Sequence, residues 1–490
     1  MVNTESEATK NIIRVSHPTA PLSVYNHKLA GALRKRSHAA LKEVLAITEE
    51  IKANKIKFDQ VTYNALLIAY TRAGQSDKAI ATLKEMIDQA IKPTVDSFNI
   101  ILDSLATYKD ACSKQEALVE MMKEQSVELT PMSYQHLVRG ATSANDLAKV
   151  KQWLDSMKTL HVDPTLLTFN YAVHCCFENA DADTALQCLS EAEALQLPVG
   201  TEPRMLMDLV RVTAINDKTE AMVAMWEKTV NKYGLRPDEG TCLQVLRLSG
   251  KTGNTAMASE VIRQLSNNGY PYKEHYFIPL MEAFVVKGDL KNAFHVLDIM
   301  RTSGVEPTKR STFAISVQLS ENVDHIDKAY YLLEEIKKEG NNVDVAAFNM
   351  VVQACGLAKD IGRTVATYRE AEQLGVTPNT DTFNAVLDAC YLAKMKGMGQ
   401  VVIQELKKSN VTPNSDTYAK MIAITCDQRD YEEVFVYLEE MKSKGMTPPR
   451  LTYNILANRL ARARDPRFHL VLEEMETFGY KPSANLKSQW

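Results

Sequence analysis

The chain has 490 residues, with 57 Lys and Arg against 61 Asp and Glu and a formal net charge of −4 at pH 7; its pI is near 6.3. A hydrophobic content of 45% and a charged content of 24% exclude a disordered or low-complexity polymer, and no apolar run reaches the roughly 18 residues of a membrane-spanning helix. A protein that wraps a polyanion usually carries a basic surplus, so any nucleic-acid surface here has to be local.

Residues 1–21 open with MVNTESEATKNIIRVSHPTA, which contains Glu5 and Glu7 and few basic residues. They read as a flexible extension in which neither a signal peptide nor an Arg-rich targeting presequence is visible. From about residue 22 a repeat begins, cleanest at Val61–Thr94. There Tyr63, Leu66, Leu67 and Tyr70 fall at i, i+3, i+4 and i+7, one stripe of a helix. Gly74 ends it. A second helix starts at Ser76–Asp77, residue types that cap helix N-termini, with Ala79, Leu83 and Met86 as its stripe, and Pro93 stops it.

The string TYN or TFN, with near variants, returns at Asn64, Asn99, Asn170, Asn349, Asn384 and Asn454. Aligned on that Asn, thirteen units of about 35 residues place it at 26, 64, 99, 135, 170, 204, 243, 277, 314, 349, 384, 419 and 454, with the pattern decayed around 200–310. A fixed period of this length marks a solenoid, whose units bury their apolar faces only against their neighbours. The last unit has Tyr453, Leu456, Ala457 and Leu460 on its first helix, an Asp465–Pro466 start, and Phe468, Val471, Leu472 and Met475 on its second. Gly304, Gly375, Gly445 and Gly479 stand where helix-ending glycines belong. The repeats run to Ser483, leaving 484–490 as a tail. The expected fold is all-α: a right-handed α-solenoid superhelix of about thirteen helix-turn-helix repeats over 22–483.

The eight cysteines, at 112, 175, 176, 188, 242, 355, 390 and 426, form no CxxC pair and no zinc spacing. Cys355 and Cys390 hold the same place in two repeats, as core positions in a reducing compartment do. His174 beside Cys175 and Cys176 invites a metal or nucleophile reading but lacks a spaced partner set. No metal, no cofactor, no Walker loop and no dinucleotide fingerprint is expected.

The unit with TYN, a central helix break, a second helix ending in EEM or KEM and a KP-type close resembles the pentatricopeptide repeat, most clearly at Val61–Thr94, Asp381–Asn414 and Leu451–Ser483. The tetratricopeptide repeat has a similar length, but its Trp, Leu-Gly and Tyr pattern is missing. The resemblance implies sequence-selective binding of single-stranded RNA in mitochondria, or alternatively chloroplasts, with one base read per repeat. The readers it implies are the Asn of TYN and the last residue of the unit. These would be Asn26/Asp59, Asn64/Thr94, Asn99/Thr130, Asn170/Val199, Asn349/Asn379, Asn384/Asn414 and Asn454/Ser483. The family's code ties Asn with Asp to U, and Asn with Asn or Ser to C, so the chain looks like a pyrimidine reader. Gln135, Arg204, Leu243, Phe277, Ala314 and Ala419 at the reading place imply no base.

Three residues before the reader the family favours an apolar side chain that sandwiches the base. Val61, Met132, Leu167 and Leu451 fit; Asp96, Asp381 and Asp416 depart. Eight residues after it a basic side chain faces phosphate, as Arg34, Arg72, Lys251 and Arg462 would, whereas Glu178 and Asp427 reverse the charge. Basic residues cluster at the ends, in Arg34–Lys35–Arg36 and in Arg459, Arg462, Arg464 and Arg467. On the helix of Asn384, the stripe Phe383, Val386, Leu387 and Cys390 should be buried and Asn384 should point into the groove.

Some relatives append a nuclease or a deaminase. A deaminase needs a His-x-Glu motif and a Cys-x-x-Cys pair, and neither occurs, so no enzyme is expected. The bare array, without plant-type tail motifs, resembles P-class members, including fungal mitochondrial small-subunit rRNA maturation factors. The implied role is RNA stability, processing or translation by occupancy. The alternative is a non-catalytic scaffold or assembly factor that binds mitoribosomal or other organellar proteins through an acidic groove.

Overall fold

A computed structural model describes residues 21–35, 37–108, 111–427 and 431–487. Arg36 and nearly all of the expected N-terminal extension lie outside the described residues, as do residues 488–490. Among the described residues the regular structure is entirely helical, and the chain divides into two compact units, one ending at Pro237 and the other starting at Asp238.

Among its described residues the first unit holds six hairpins: Pro21–Ala32 with Ser37–Ala53, Gln60–Arg72 with Ser76–Asp88, Val95–Leu105 with Ala111–Glu124, Pro131–Ser143 with Leu147–Thr159, Leu166–Glu178 with Ala182–Ala194, and Pro203–Ile215 with Thr219–Trp226. The second holds seven: Glu239–Thr252 with Thr255–Asn267, Glu274–Val286 with Leu290–Thr302, Lys309–Ser320 with Val323–Lys338, Val345–Leu357 with Ile361–Arg369, Thr380–Leu392 with Lys396–Lys408, Ser415–Asp427 with Tyr431–Ser443, and Arg450–Ala463 with Arg467–Thr477. Ala484–Lys487 adds one short turn. Within each unit, successive first helices pack on one another and on their own second helices. Each unit is therefore an α-solenoid.

The repeat grammar has a physical cause in the first helix. Its third residue is a buried hydroxyl in most hairpins, among them Thr62, Ser97, Ser133, Thr168, Thr382 and Thr417. The fourth is a buried ring: Tyr63, Phe98, Tyr134, Phe169, Phe277, Phe348, Phe383, Tyr418 and Tyr453 are all in the core. A buried phenol needs a partner, and the second helix supplies one. Tyr418 Oη donates to Glu440 Oε1 at 2.9 Å and Tyr453 Oη to Glu474 Oε1 at 2.9 Å, with Tyr63 and Glu85 at a looser 3.5 Å. This is why the Tyr of TYN and the Glu of EEM or KEM recur together. Burial, with Glu85 beside it, pushes the Tyr63 hydroxyl up to about 12.

The expected helix-ending glycines adopt the left-handed conformation, Gly375 at φ 71° and Gly445 at φ 73°. Elsewhere the same turn is made by residues with a Cβ, including Ala90, Ala180 and Lys359. That conformation costs roughly 1–2 kcal/mol per residue, a cost the stacking on both sides has to offset.

Candidate nucleic-acid interface

The first helix of a repeat is capped by the side chain just before it. Asp59, Thr130, Thr165 and Asn379 each accept from the amide of the third helical residue, satisfying one of the four open N–H groups. Two residues further on stands the Asn of TYN, and its amide reaches the cap of the following repeat. Asn26 Nδ2 donates to Asp59 Oδ2 at 2.8 Å, Asn349 Nδ2 to Asn379 Oδ1 at 3.0 Å, and Asn384 Nδ2 to Asn414 Oδ1 at 3.2 Å. The carbonyl of the same amide accepts from the hydroxyl of the next repeat's third residue. That donor is Thr62 for Asn26, Thr382 for Asn349 and Thr417 for Asn384.

The residue pairs named from the repeat are thus brought together as inter-repeat clamps. Asn64 and Asn99 are linked more loosely to Thr94 and Thr130, through the Ser97 and Ser133 hydroxyls at 2.7 and 2.8 Å. Asn454 and Ser483 share no hydrogen bond among the described residues; Ser483 Oγ accepts from Leu486 N instead. Asn170 corrects the expected pairing with Val199. Val199 is buried in a 3₁₀ turn, and Asn170 Nδ2 donates to Glu202 Oε2 at 2.8 Å. Asn384 corrects another expectation: it is 0% exposed and lies between two repeats rather than open to the groove.

Three reading places move in the decayed region. The first helices there start at Pro203, Glu274 and Lys309, and Leu206, Phe277 and Thr312 occupy the buried fourth place. The fifth place therefore holds Met207, Ile278 and Phe313, not Arg204, Phe277 and Ala314. Reading places then follow at 170, 207, 243, 278, 313 and 349, spaced 35–37 residues instead of 34–39. With Leu243, the middle repeats carry only apolar side chains at this place, and these cannot hydrogen-bond a base edge.

At the second helical residue, Val61 is half-buried while Met132, Leu167 and Leu451 are exposed. Asp96 is exposed as well. Asp416 is occupied, with Lys309 Nζ donating to its Oδ2 at 2.8 Å and Lys420 Nζ 3.5 Å from its Oδ1. Among the expected phosphate contacts, Arg34, Lys251 and Arg462 are exposed. Arg72 instead donates to the Leu33 carbonyl at 2.6 Å, one repeat back. The C-terminal basic cluster is partly neutralised: Arg459 pairs with Asp427 at 2.7 Å, and Arg467 with both Asp465 and Glu432.

A further row of polar contacts joins the fourth residue after one reading place to the first residue after the next. It contains Asp103 with His136 at 3.2 Å, His174 with Asp208 at 2.9 Å, and Asp388 with Lys420. Sequence reasoning missed this row, although its spacing of 32–34 residues was available as a signal. His174 is thereby engaged by Asp208, while burial pushes the Cys175 thiol up to about 11, unlike a reactive thiolate. Among the described residues no group of His, Cys, Asp and Glu is placed to hold a metal ion.

The family described as "Pentatricopeptide repeat domain" matches residues 46–106 and 117–179, "Pentatricopeptide repeat-containing protein" matches 239–371, and "Pentacotripeptide-repeat region of PRORP" matches 335–482. Among curated relatives, a pentatricopeptide repeat-containing protein of Arabidopsis thaliana is 21% identical over 73% of this chain and 56% of its own length. A small ribosomal subunit protein of the same plant, mL103, is 26% identical over 27% of this chain and 32% of its own length. The chain thus spans about half or less of the length of these relatives. Among solved structures it is similar to the pentatricopeptide repeat protein PPR10 from maize, with 16% identity, TM-score 0.36, and coverage of 99% of this chain and 77% of that one. It is also similar to yeast Rmd9p in complex with a 16-nt target RNA, with 13% identity, TM-score 0.34, and coverage of 96% and 95%. With matching signatures on both units and the repeat geometry described above, the chain belongs to the pentatricopeptide repeat family.

Proposed function

We propose that the chain binds single-stranded RNA in an organelle, addressing one base per repeat at the clamp between neighbouring repeats, and acts by occupying the RNA without chemistry of its own. The observation that carries this reading is the repeated pairing of an Asn amide with the next cap, at Asn26/Asp59, Asn349/Asn379 and Asn384/Asn414. Each pair sets a donor and acceptors at fixed spacing, the chemistry a Watson–Crick edge requires. The finer reading is a preference for pyrimidines at these three places and a mitochondrial site of action, in the stability, processing or translation of a transcript or rRNA. Sequencing the RNA crosslinked to the protein tests it directly. Titration of a pyrimidine-rich single strand should give a shallow salt dependence, a log–log slope of roughly −3, because few phosphate-facing cations are present.

The apolar reading places Leu243, Ile278 and Phe313 favour a second reading for the middle repeats, a protein surface such as an organellar ribosomal protein. Absence of any RNA binding at low salt would leave that reading standing alone.

A further inference from the structure

Successive first helices pack on their immediate neighbours, but the side chain of Lys309 reaches past two of them. Lys309 opens the first helix of repeat 9. Its Nζ donates to Asp416 Oδ2 of repeat 12 at 2.8 Å and lies 3.7 Å from Asp388 Oδ2 of repeat 11. Lys420 completes the cluster, pairing with Asp388 and standing 3.5 Å from Asp416 Oδ1. Two ammonium groups and two carboxylates therefore balance, and the cluster leaves no net charge to attract a polyanion.

The tie bridges the two seams that carry the Asn349/Asn379 and Asn384/Asn414 clamps. The first of these clamps lines a cavity of about 220 Å³ together with Lys309 and Phe313 of repeat 9, less than the roughly 300–1,000 Å³ of a ligand pocket. A second cavity, of about 630 Å³, is lined by Phe313, Leu357, Tyr391 and Leu392 with the tied Lys309 and Lys420. Leu357 and Leu392 hold the phosphate-facing place of repeats 10 and 11. A strand laid along these repeats would thus find no cation at the aligned places. The cations that line the cavity are Lys309 and Lys420, and each is already held by a carboxylate.

We propose that Asp416 is an internal stand-in for an RNA phosphate: it draws Lys309 across the groove and keeps repeats 10 and 11 closed until a phosphate of the strand replaces it on the ammonium group. Carboxylate and phosphate oxygens offer an ammonium the same kind of charge-assisted bond, so one can be exchanged for the other. Side-chain exposures of 36% for Lys309 and 43% for Asp416 leave the pair within reach of solvent and weak enough to break. Small rotations spread over three seams open a solenoid without unpacking any one of them. The inference rests on the RNA-binding reading, and it adds Lys309 as a phosphate contact outside the aligned places.

The test is titration of a pyrimidine-rich single strand into the full chain, wild type against Asp416→Asn, Asp381→Asn and Lys309→Ala, with the folded fraction of each taken from its melting curve. Asp381 holds the same helical place one repeat earlier and lines the smaller cavity. Its substitution changes the net charge equally and so controls for general attraction. Asp416→Asn should bind up to about fivefold tighter, the strength of a half-exposed ion pair, and Asp381→Asn should gain less. Lys309→Ala opens the groove but loses the phosphate contact, so it should gain no affinity, and its log–log salt slope should be shallower by about 0.7. No gain with Asp416→Asn, or an equal gain with Asp381→Asn, overturns the stand-in. A gain in affinity or an unchanged slope with Lys309→Ala overturns Lys309 as a phosphate contact. Binding by none of the four proteins overturns the RNA-binding reading itself.

Discussion

Asn384 Nδ2 donates to Oδ1 of Asn414, 30 residues on in the next repeat, at 3.2 Å, and this joins the reading pair before any ligand arrives. The same Asn384 accepts from Thr417 Oγ1 at 2.8 Å and is fully buried. A residue implied to read RNA is therefore also part of the seam between repeats 11 and 12, and base recognition there has to exchange these bonds for bonds to the base.

Asn384→Ala should consequently destabilise the fold as well as weaken RNA binding. Two hydrogen bonds between buried or half-buried groups are lost, a cost of roughly 1–3 kcal/mol. Asn64→Ala, where a half-buried amide accepts one bond from Ser97, should cost less, about 1 kcal/mol. Chemical denaturation of both variants checks the order. Equal, negligible losses would mean that the amide is dispensable to the seam.

Leu387 is 0% exposed in the stripe with Phe383, Val386 and Cys390. Leu387→Ala should cost roughly 2–5 kcal/mol through the cavity it leaves. Solenoid stability is a sum over neighbours, so the loss should appear as faster amide exchange in 345–443 and not in the hairpins of the first unit. Uniform acceleration across both units would contradict that locality.

The hairpins, the core stripe and the clamp pairs at repeats 1, 10 and 11 were legible because one short signal, an aromatic ring followed by Asn, recurs at a fixed period, and at repeat 11 it marks the buried hydroxyl Thr382, the buried ring Phe383 and the amide Asn384 together. The register was lost where the Asn is absent and the residues before it are partly or wholly replaced. In repeat 6 the three places hold Met205, Leu206 and Met207, preceded by the extra 3₁₀ turn Val199–Thr201. Charge was misjudged for another reason. Arg72 and Arg459 are basic in sequence, but their partners lie 39 and 32 residues away, one repeat off, where only packing reveals them, and Arg467 adds Glu432, 35 residues away, to its neighbour Asp465.

Lys309 and Asp416 stand 107 residues apart in sequence yet meet at 2.8 Å, tying repeat 9 to repeat 12 within the second unit. Burial acts against ionisation of Asp416, but its bond from Lys309 and the charge of Lys420 outweigh this and hold its carboxyl below the usual range. Burial likewise acts against the charge on Lys309, and Asp416 and Asp388 outweigh it and raise its pKa. A depressed acid stabilises above its unfolded value of 3.8 and loses that as pH falls through its folded value. A raised lysine stabilises below 10.5 and loses that as pH rises through its folded value. The tie should therefore operate between about pH 4 and pH 10. Lys309→Ala should cost up to about 1 kcal/mol at neutral pH and progressively less as the pH falls below 3.8 through the folded value of Asp416. A cost that persists unchanged in acid would assign the loss to packing of the lysine stem.

The cleanest separation of reading from folding is Asn414→Asp. Asn414 Oδ1 accepts from Asn384 Nδ2, from Thr417 N at 3.0 Å and from Thr417 Oγ1 at 2.9 Å. Every one of these bonds uses the side chain as an acceptor, and a carboxylate accepts at least as well. The chain already contains the product of this change: Asp59 accepts from Asn26 Nδ2 and from Thr62 N and Oγ1 in the same pattern. A negative cap also suits a helix N-terminus. Melting should therefore stay within about 0.5 kcal/mol of wild type or rise slightly. What changes is the second reading group, which loses its amide donor and becomes acceptor-only. Cytosine, whose ring nitrogen and carbonyl oxygen are acceptors, should lose affinity at that nucleotide, and uracil, with its N3–H, should gain. Discrimination should be of order 1–3 kcal/mol, read by competition between strands that differ at one position. An unchanged preference in a variant that melts like wild type would show that the clamp between repeats 11 and 12 holds the solenoid together but reads no base.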